Sequence, residues 1–385
     1  MLRHEQTSTS LGSMQDGDQT PVNPVPETLQ QVDRTYVIHR GRKLVYFGGC
    51  DYFRLASHPD VLASVKAGLD RFGLNVAASR RTTGNHALYE RLEAALAGFF
   101  RAPTATLVSN GYVTNLVAAQ ALAGEFTHAL IDERAHGALV DAAHLLGCPV
   151  LPFRHRDATD AARLAGTFGR RAKLLLLTDG LFSQSGQVAP LDEYLRRLPK
   201  SVRFLVDDAH GAGTVGRHGR GTMEFLGVPG GRFIQTITLS KAFGVYGGAV
   251  LGSRRLRNSI LTRSRLFTGN TPLPLPLASA ALTALEVVRN DPKLRRRLVF
   301  NAGYVKAALR EAGFELPDGP GPIVPIVLPD ARAEGTLRRR LLARDIHPPF
   351  VQYPGGPAPG YFRFVISIEH TAAQLDALVG ALKPR

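Results

Sequence analysis

The stretch ITLSKAFGVYGGAVLG, Ile237 to Gly252, sets one lysine between a β-rich run and a burst of small residues. Lysine is scarce in this chain: of 47 basic residues, eight are lysine and the rest arginine. A strand predicted over Ile234–Leu239 delivers Lys241 to a strand end, where an open α/β sheet gathers its functional groups. Gly244, Gly247 and Gly248 then allow a tight turn and re-entry into the sheet as a strand over Gly248–Leu251. Lys241 is either a solvated charge at this junction or an amine set in a pocket for covalent chemistry.

Upstream, short apolar runs alternate with helical stretches. Strands are predicted over Ala105–Val108, Ala129–Ile131, Pro149–Phe153, Lys173–Thr178 and Arg203–Val206. Helical spacing of Val61, Leu62, Val65 and Leu69 marks Pro59–Phe72, and Leu88, Leu92, Leu96 and Phe99 mark Ala87–Phe100. This rhythm, with near-continuous apolar strands, predicts an α/β fold: a mainly parallel central sheet with helices on both faces. Beyond Pro276 a long helical region runs through Leu285 to Leu309. A smaller α+β C-terminal domain follows, with strands at Ile323–Leu328 and Tyr361–Ile368 and helices at Glu334–Ala343 and Ala372–Leu382. PPFVQYPGGPAPG, Pro348 to Gly360, reads as a loop without regular structure. TYVIHRGRKLVYF, Thr35 to Phe47, reads as a hairpin around Gly41. The expected division is a flexible leader over 1–32, a segment over 33–58 packing with the small domain, a large domain over 59–290 and the small domain over 291–385.

The leader is rich in Ser, Thr, Gln, Asp and Pro and lacks the apolar core of a secretory signal, so a cytoplasmic location is expected. No run approaches the ~18 apolar residues of a membrane span. Cys50 and Cys148 stand far apart without a CxxC partner, which suggests neither a metal site nor a disulfide framework. The formal net charge of +15 is spread over scattered arginine pairs and triplets. No arm or aromatic-studded motif collects them, so nucleic acid is not expected. The surplus suits solvated faces, and it equally suits an anionic substrate such as coenzyme A or an acidic carrier protein.

Four predicted strand ends carry polar residues. LVSNGYVTN holds Asn110, Gly111 and Tyr112 before a helix, and LLLLTDGLFSQSG holds Asp179 and Ser183. VDDAHGAGTVGRHGRG holds Asp207, Asp208 and His210, and ITLSKAFGVYGG holds Thr238, Ser240 and Lys241. Taken singly, Asp207 could be a helix cap, His210 a loop histidine and Lys241 a surface amine. Together they suit one cofactor. Pyridoxal 5'-phosphate needs a lysine for its Schiff base, a carboxylate for its pyridine nitrogen, and donors at a helix N-terminus for its phosphate.

From about Tyr46 to the C-terminus, with VDDAHGAGTVGRHGRG and TLSKAFGVYGG as its most specific motifs, the sequence resembles the α-oxoamine synthases. These are a branch of the fold-type-I pyridoxal-phosphate enzymes. The resemblance implies that Lys241 forms the Schiff base and serves as the proton-transfer base. It implies that Asp207 pairs with the pyridine nitrogen, and that His210 reaches the ring's phenolic oxygen with Ser183 nearby. His136, in IDERAHGALVDAA, matches the histidine that stacks on the ring. Asn110, Gly111, Tyr112 and Thr238 match the phosphate cradle, and Asp179 an acidic position behind the site. Arg363, in YFRFVIS, matches the arginine that grips the substrate carboxylate, a task suited to a planar fork. The implied reaction joins a small amino acid to an acyl thioester, carried by coenzyme A or a carrier protein, and releases carbon dioxide. A homodimer is implied as well.

Three departures from the family pattern fall where the amino acid and acyl chain would sit. CDYFRL stands where the family places Asn-Tyr-Leu-Gly-Leu, which makes Asp51 a candidate substrate contact. SRRTTGNHALYERLE places Asn85, a second candidate, after the glycine and Tyr89 where the family has a histidine. FTGNTPLP replaces a Ser/Thr-rich run that serves the neighbouring subunit's phosphate, with Thr268 and Asn270 as the contacts on offer. These leave open another pyridoxal-phosphate reaction on the same scaffold: aminotransfer, an aldolase-type cleavage or a non-decarboxylating condensation. A non-catalytic regulator would need an N-terminal DNA-binding domain, and a silent partner subunit would be expected to lose the lysine.

Overall fold

The computed structural model describes residues 27–352 and 356–383. Strands β1 (Gln30–Gln31), β2 (Tyr36–His39) and β3 (Arg42–Val45) form an antiparallel sheet. The β2–β3 turn places Arg40 and Gly41 at φ 50° and 73°, the left-handed pair that matches the twist of a two-residue hairpin. β1 falls within the span expected as leader; residues 1–26 of that span lie outside the described residues.

The central sheet has seven strands: β4 (Thr104–Val108), β5 (His128–Asp132), β6 (Val150–Phe153), β7 (Leu174–Asp179), β8 (Arg203–Asp207), β9 (Phe233–Thr238) and β10 (Gly248–Gly252). Their order is β4-β10-β9-β8-β7-β5-β6. β10 runs against both neighbours, and the other pairings are parallel. All seven were legible as apolar runs because this sheet is covered on both faces. In β7, Leu175 and Leu177 pack with the helices Gly111–Leu122 and Gly137–His144. Leu174 and Leu176 face the opposite way, toward Ala158–Gly166 and Leu191–Arg197. This is the period-two alternation of a strand, here apolar on both sides. Each such leucine contributes about 1.5–3 kcal/mol of burial.

The helical region predicted through Leu285 to Leu309 is two helices, Leu275–Asn290 and Pro292–Glu311. Asp291 divides them: its side chain accepts from Lys293 N–H at 2.8 Å, and Pro292 supplies the fixed φ suited to a first turn. The small domain carries β11 (Ile323–Ile326), β12 (Phe350–Val351) and β13 (Tyr361–Val365), in the order β11-β13-β12. β12 corrects the reading of Pro348–Gly360 as wholly irregular: Phe350 and Val351 pair with Phe362 and Tyr361. A two-residue edge pairing tolerates the surrounding prolines because the outer side of the edge donates to nothing. Val45 and Phe47 join the core of this domain, with Val45 N–H donating to Asp345 C=O and Val365 N–H to Phe47 C=O. Among the described residues no helix is long and apolar enough to cross a membrane.

Candidate active site

The parallel strands deliver their C-terminal ends to one side of the sheet, and a cavity of about 180 Å³ lies there. Its lining includes Asn110, Gly111, Tyr112, His136, Asp179, Asp207, His210, Thr238 and Lys241. Residues read from five separate stretches therefore meet in one place.

The loop after β9 fixes Lys241. Gly244 N–H donates to Lys241 C=O at 3.0 Å, and Val245 N–H returns to Leu239 C=O at 2.9 Å. Gly244 sits at φ 63°, and a Cβ there would lie 2.3 Å from Ala56 N, so the turn requires glycine. Lys241 Nζ lies 2.8 Å from His210 Nε2. Burial lowers the Lys241 pKa, opposed by the negative charges of Cys50 and Asp207. Burial also carries His210 well below the usual imidazole range, reinforced by Lys241 and Arg363, so this ring is neutral.

Asp207, at the end of β8, is buried. It accepts from Asn115 Nδ2 at 2.6 Å and from Ala209 N–H at 3.0 Å. Asn115 is held in turn by Thr236 Oγ1 at 2.6 Å. Asp179 lies behind: it accepts from His136 N–H at 2.8 Å, and burial, with Asp207 adding repulsion, pushes its carboxyl well above the usual range. Two neighbouring carboxyls thus have different environments, Asp207 with two donors and Asp179 with one and its charged form disfavoured by burial. His136 caps the helix Gly137–His144, its Nδ1 accepting from Ala138 N–H at 3.1 Å. That fixes the ring's rotation, and burial lowers its pKa despite Asp207.

Asn110 caps the helix Gly111–Leu122, accepting from Val113 N–H at 3.0 Å. This N-terminus lines the cavity through Asn110, Gly111 and Tyr112 and favours an anion. A Cβ on Gly111 would stand 2.6 Å from Thr238 Oγ1, so only glycine lets the helix start come this close to the end of β9. Tyr112 donates its hydroxyl to Asp141, and its ring meets His136 edge-on at 6.2 Å.

Ser183 and Arg363 lie beside the cavity rather than in its wall. Buried Arg363 donates Nε–H to Ser183 C=O at 2.6 Å. The structure turns Asp51 away: its carboxylate accepts from Leu55 N–H at 2.9 Å and Ala56 N–H at 3.1 Å, capping a short 3-10 helix. Asn85 is likewise engaged elsewhere, accepting from Arg80 Nε at 3.0 Å and donating to Glu90 at 2.9 Å. Neither lines the cavity. Tyr89 donates to Leu273 C=O at 2.6 Å, and Asn270 donates to Ser109 Oγ at 3.0 Å.

Residues not foreseen include Asn115 and Tyr52, and Asp208, read only as closing the same strand end as Asp207, has a task of its own. Asn115 had a readable signal: an amide four residues after Gly111, on the same face of a mostly apolar helix. Asp208 points away from Asp207. It accepts from Thr222 N–H at 2.8 Å, Thr222 Oγ1 at 2.6 Å and Gln235 Nε2 at 2.7 Å. Burial pushes it up to about 7 against those bonds. Because the folded value exceeds the unfolded one, its contribution to stability is complete below about pH 4 and is lost as pH rises through 7. Asp208→Asn keeps the shape, offers one oxygen to Thr222 N–H and Gln235, and donates to Thr222 Oγ1. The melting temperature of the variant should therefore gain on wild type by several degrees between pH 5 and pH 8. A difference that does not vary with pH would contradict this account.

The aminotransferase class I and II family matches residues 42–382. The chain belongs to that family. It is 38% identical over 357 residues to 8-amino-7-oxononanoate synthase of Methylococcus capsulatus, covering 90% of each chain. It is 36% identical to the enzyme of the same name from Thioalkalivibrio sulfidiphilus, over 89% of this chain and 88% of that one. Among solved structures, serine palmitoyltransferase from S. paucimobilis with bound PLP superposes with a TM-score of 0.87 at 27% identity, over 92% of this chain and 91% of that one. The chain is thus an α-oxoamine synthase with the fold-type-I architecture, a C-acyltransferase that uses pyridoxal phosphate. The cavity fits that cofactor on its own terms. A lysine amine, a carboxylate supplied with donors, and a helix N-terminus cleared by Gly111 stand around one space of suitable chemistry.

Proposed function

We propose that this protein condenses a small amino acid with an acyl thioester, releasing thiol and carbon dioxide and leaving an α-amino ketone. The observation that carries the reading is the grouping of Lys241, His210, Asp207 and the helix N-terminus at one cavity, with the Arg363 guanidinium beside it. Bound there, pyridoxal phosphate supplies an electron sink for the pair left on the amino acid's α-carbon.

The chain's own residues do the remainder. Lys241 holds the cofactor and moves the α-proton, which requires an amine that can exist neutral; its burial favours that state. Asp207 would serve as the carboxylate partner of the pyridine nitrogen, and the N-terminus of Gly111–Leu122 with Thr238 would hold the phosphate. His136 would stack on the ring and His210 would hydrogen-bond the phenolic oxygen. Arg363 orients the substrate carboxylate through its planar fork. The reading includes a cytoplasmic homodimer, the assembly that the family resemblance implies; an active monomer in sedimentation would contradict it.

The test is to mix the holoenzyme with glycine, alanine or serine and a panel of acyl thioesters, and to follow released thiol and carbon dioxide. Thiol release that depends on both substrates is expected. Amino-group transfer to a 2-oxo acid, without thiol release, would overturn the reading in favour of an aminotransferase. Arg363→Ala should raise KM for the amino acid about 30-fold, since a hydrogen bond to a charged group contributes about 2 kcal/mol. An unchanged KM would remove Arg363 from the carboxylate site.

A further inference from the structure

His210 is held between two side chains, and both of its ring nitrogens are engaged. Tyr52 is fully buried, and its hydroxyl lies 2.6 Å from His210 Nδ1. His210 Nε2 lies 2.8 Å from Lys241 Nζ, and both of these residues line the cavity. The backbone at each end of the Tyr52–His210 contact is fixed. Tyr52 N–H donates to Cys50 C=O at 2.9 Å, and Tyr52 C=O accepts from Ile368 N–H at 3.1 Å. Tyr52 also belongs to the buried core that contains Leu239, Ala242 and Phe243. His210 C=O accepts from Thr214 Oγ1 at 2.6 Å.

Which ring nitrogen carries the hydrogen follows from the hydroxyl. Tyr52 Oη has one hydrogen to donate, and among the described residues His210 Nδ1 is the acceptor that meets hydrogen-bond geometry. Cys50 stands nearby, but sulfur is a weak acceptor, and its hydrogen-bond contacts are with Arg363, at 3.8 Å from both terminal nitrogens. A buried donor left unused costs about 1–3 kcal/mol, so the hydroxyl donates and Nδ1 accepts. A neutral imidazole bears one N–H, which then stands on Nε2 and faces Lys241. Burial keeps the ring neutral. The opposite tautomer would donate Nδ1–H to Oη, strand the hydroxyl's hydrogen and turn a lone pair toward the lysine.

We propose that Tyr52 is a positioning residue that holds His210 as the Nε2–H tautomer and so makes it a donor to the cofactor's phenolic oxygen. The proposal rests on the reading of His210 given above. An N–H directed at that oxygen favours its ionised form, whereas a lone pair directed there would oppose it. Tyr52 does not line the cavity and acts through His210.

The test is long-range proton–nitrogen correlation NMR of the full chain, isotopically labelled in its histidine ring nitrogens, with and without pyridoxal phosphate. The His210 signals are assigned by their loss in His210→Gln. Wild type should show the Nε2–H form alone, Tyr52→Phe should admit a measurable Nδ1–H fraction, and Cys50→Ala should match wild type. The Nδ1–H form in wild type, an unchanged tautomer in Tyr52→Phe or a switch in Cys50→Ala would each overturn the proposal. The holoenzyme supplies a second reading. With the donor to the phenolic oxygen weakened, the midpoint of visible absorption against pH should rise by about half a unit in Tyr52→Phe, roughly threefold in proton affinity. An unmoved midpoint overturns the proposal. If Tyr52→Phe does not fold or does not keep cofactor, the tautomers of wild type and Cys50→Ala decide. Absence of thiol release by wild type would instead contradict the functional reading, and the tautomer measured without cofactor would still decide the role of Tyr52.

Discussion

Lys241→Ala is expected to abolish covalent retention of pyridoxal phosphate and to lower kcat by roughly 10³-fold or more. Removing a positioned proton-transfer group alone costs about 10²–10⁴-fold, and this side chain is read as both tether and base. The fold should survive. The loop is closed by backbone bonds, Gly244 N–H to Lys241 C=O and Val245 N–H to Leu239 C=O, neither of which needs the lysine side chain. The variant should therefore melt near wild type while its cofactor washes out on gel filtration. Retention of covalently bound cofactor by this variant would refute the assignment.

Asp207→Asn is the second large effect. Two donors converge on this side chain, Asn115 Nδ2 at 2.6 Å and Ala209 N–H at 3.0 Å, and a carboxylate accepts both. An amide has one acceptor oxygen, so one donor would face an NH₂ group, at a cost of about 1–3 kcal/mol. The negative partner of the pyridine nitrogen is lost as well. Asp179 is poorly placed to substitute for it, because burial and the neighbouring Asp207 disfavour its charged form. Loss of a preorganised electrostatic partner typically costs about 10²–10³-fold in kcat, and that is the expected fall, with cofactor still bound. Activity within about threefold of wild type would show that the carboxylate does not serve the ring.

Much of this site was legible because its residues stand at the ends of apolar runs. Leu174–Asp179, Arg203–Asp207 and Phe233–Thr238 are each buried almost throughout. A polar group closing such a run has either a partner or a task. Two candidate contacts are engaged by local geometry that the sequence pattern does not display. At Asp51, Arg54 adopts a left-handed conformation at φ 53° and starts a 3-10 turn, whose N–H groups hold the carboxylate in this structure. Asn85 is drawn off by Arg80, itself paired with buried Glu93 at 2.5 Å. Tyr52 gave no signal, since its importance depends on His210, more than a hundred residues away.

The central claim is that Lys241, and no other lysine, carries the cofactor. Lys306 is the instructive competitor: it is buried, and burial brings its pKa down to about 8. It is nonetheless committed to the carbonyls of Gly319 at 2.9 Å and Gly321 at 2.6 Å, in the small domain and away from the cavity. Borohydride reduction of the holoenzyme followed by peptide mapping discriminates between them. The account predicts a pyridoxyl group on the peptide containing Lys241; its appearance on Lys306 or any other lysine would contradict it.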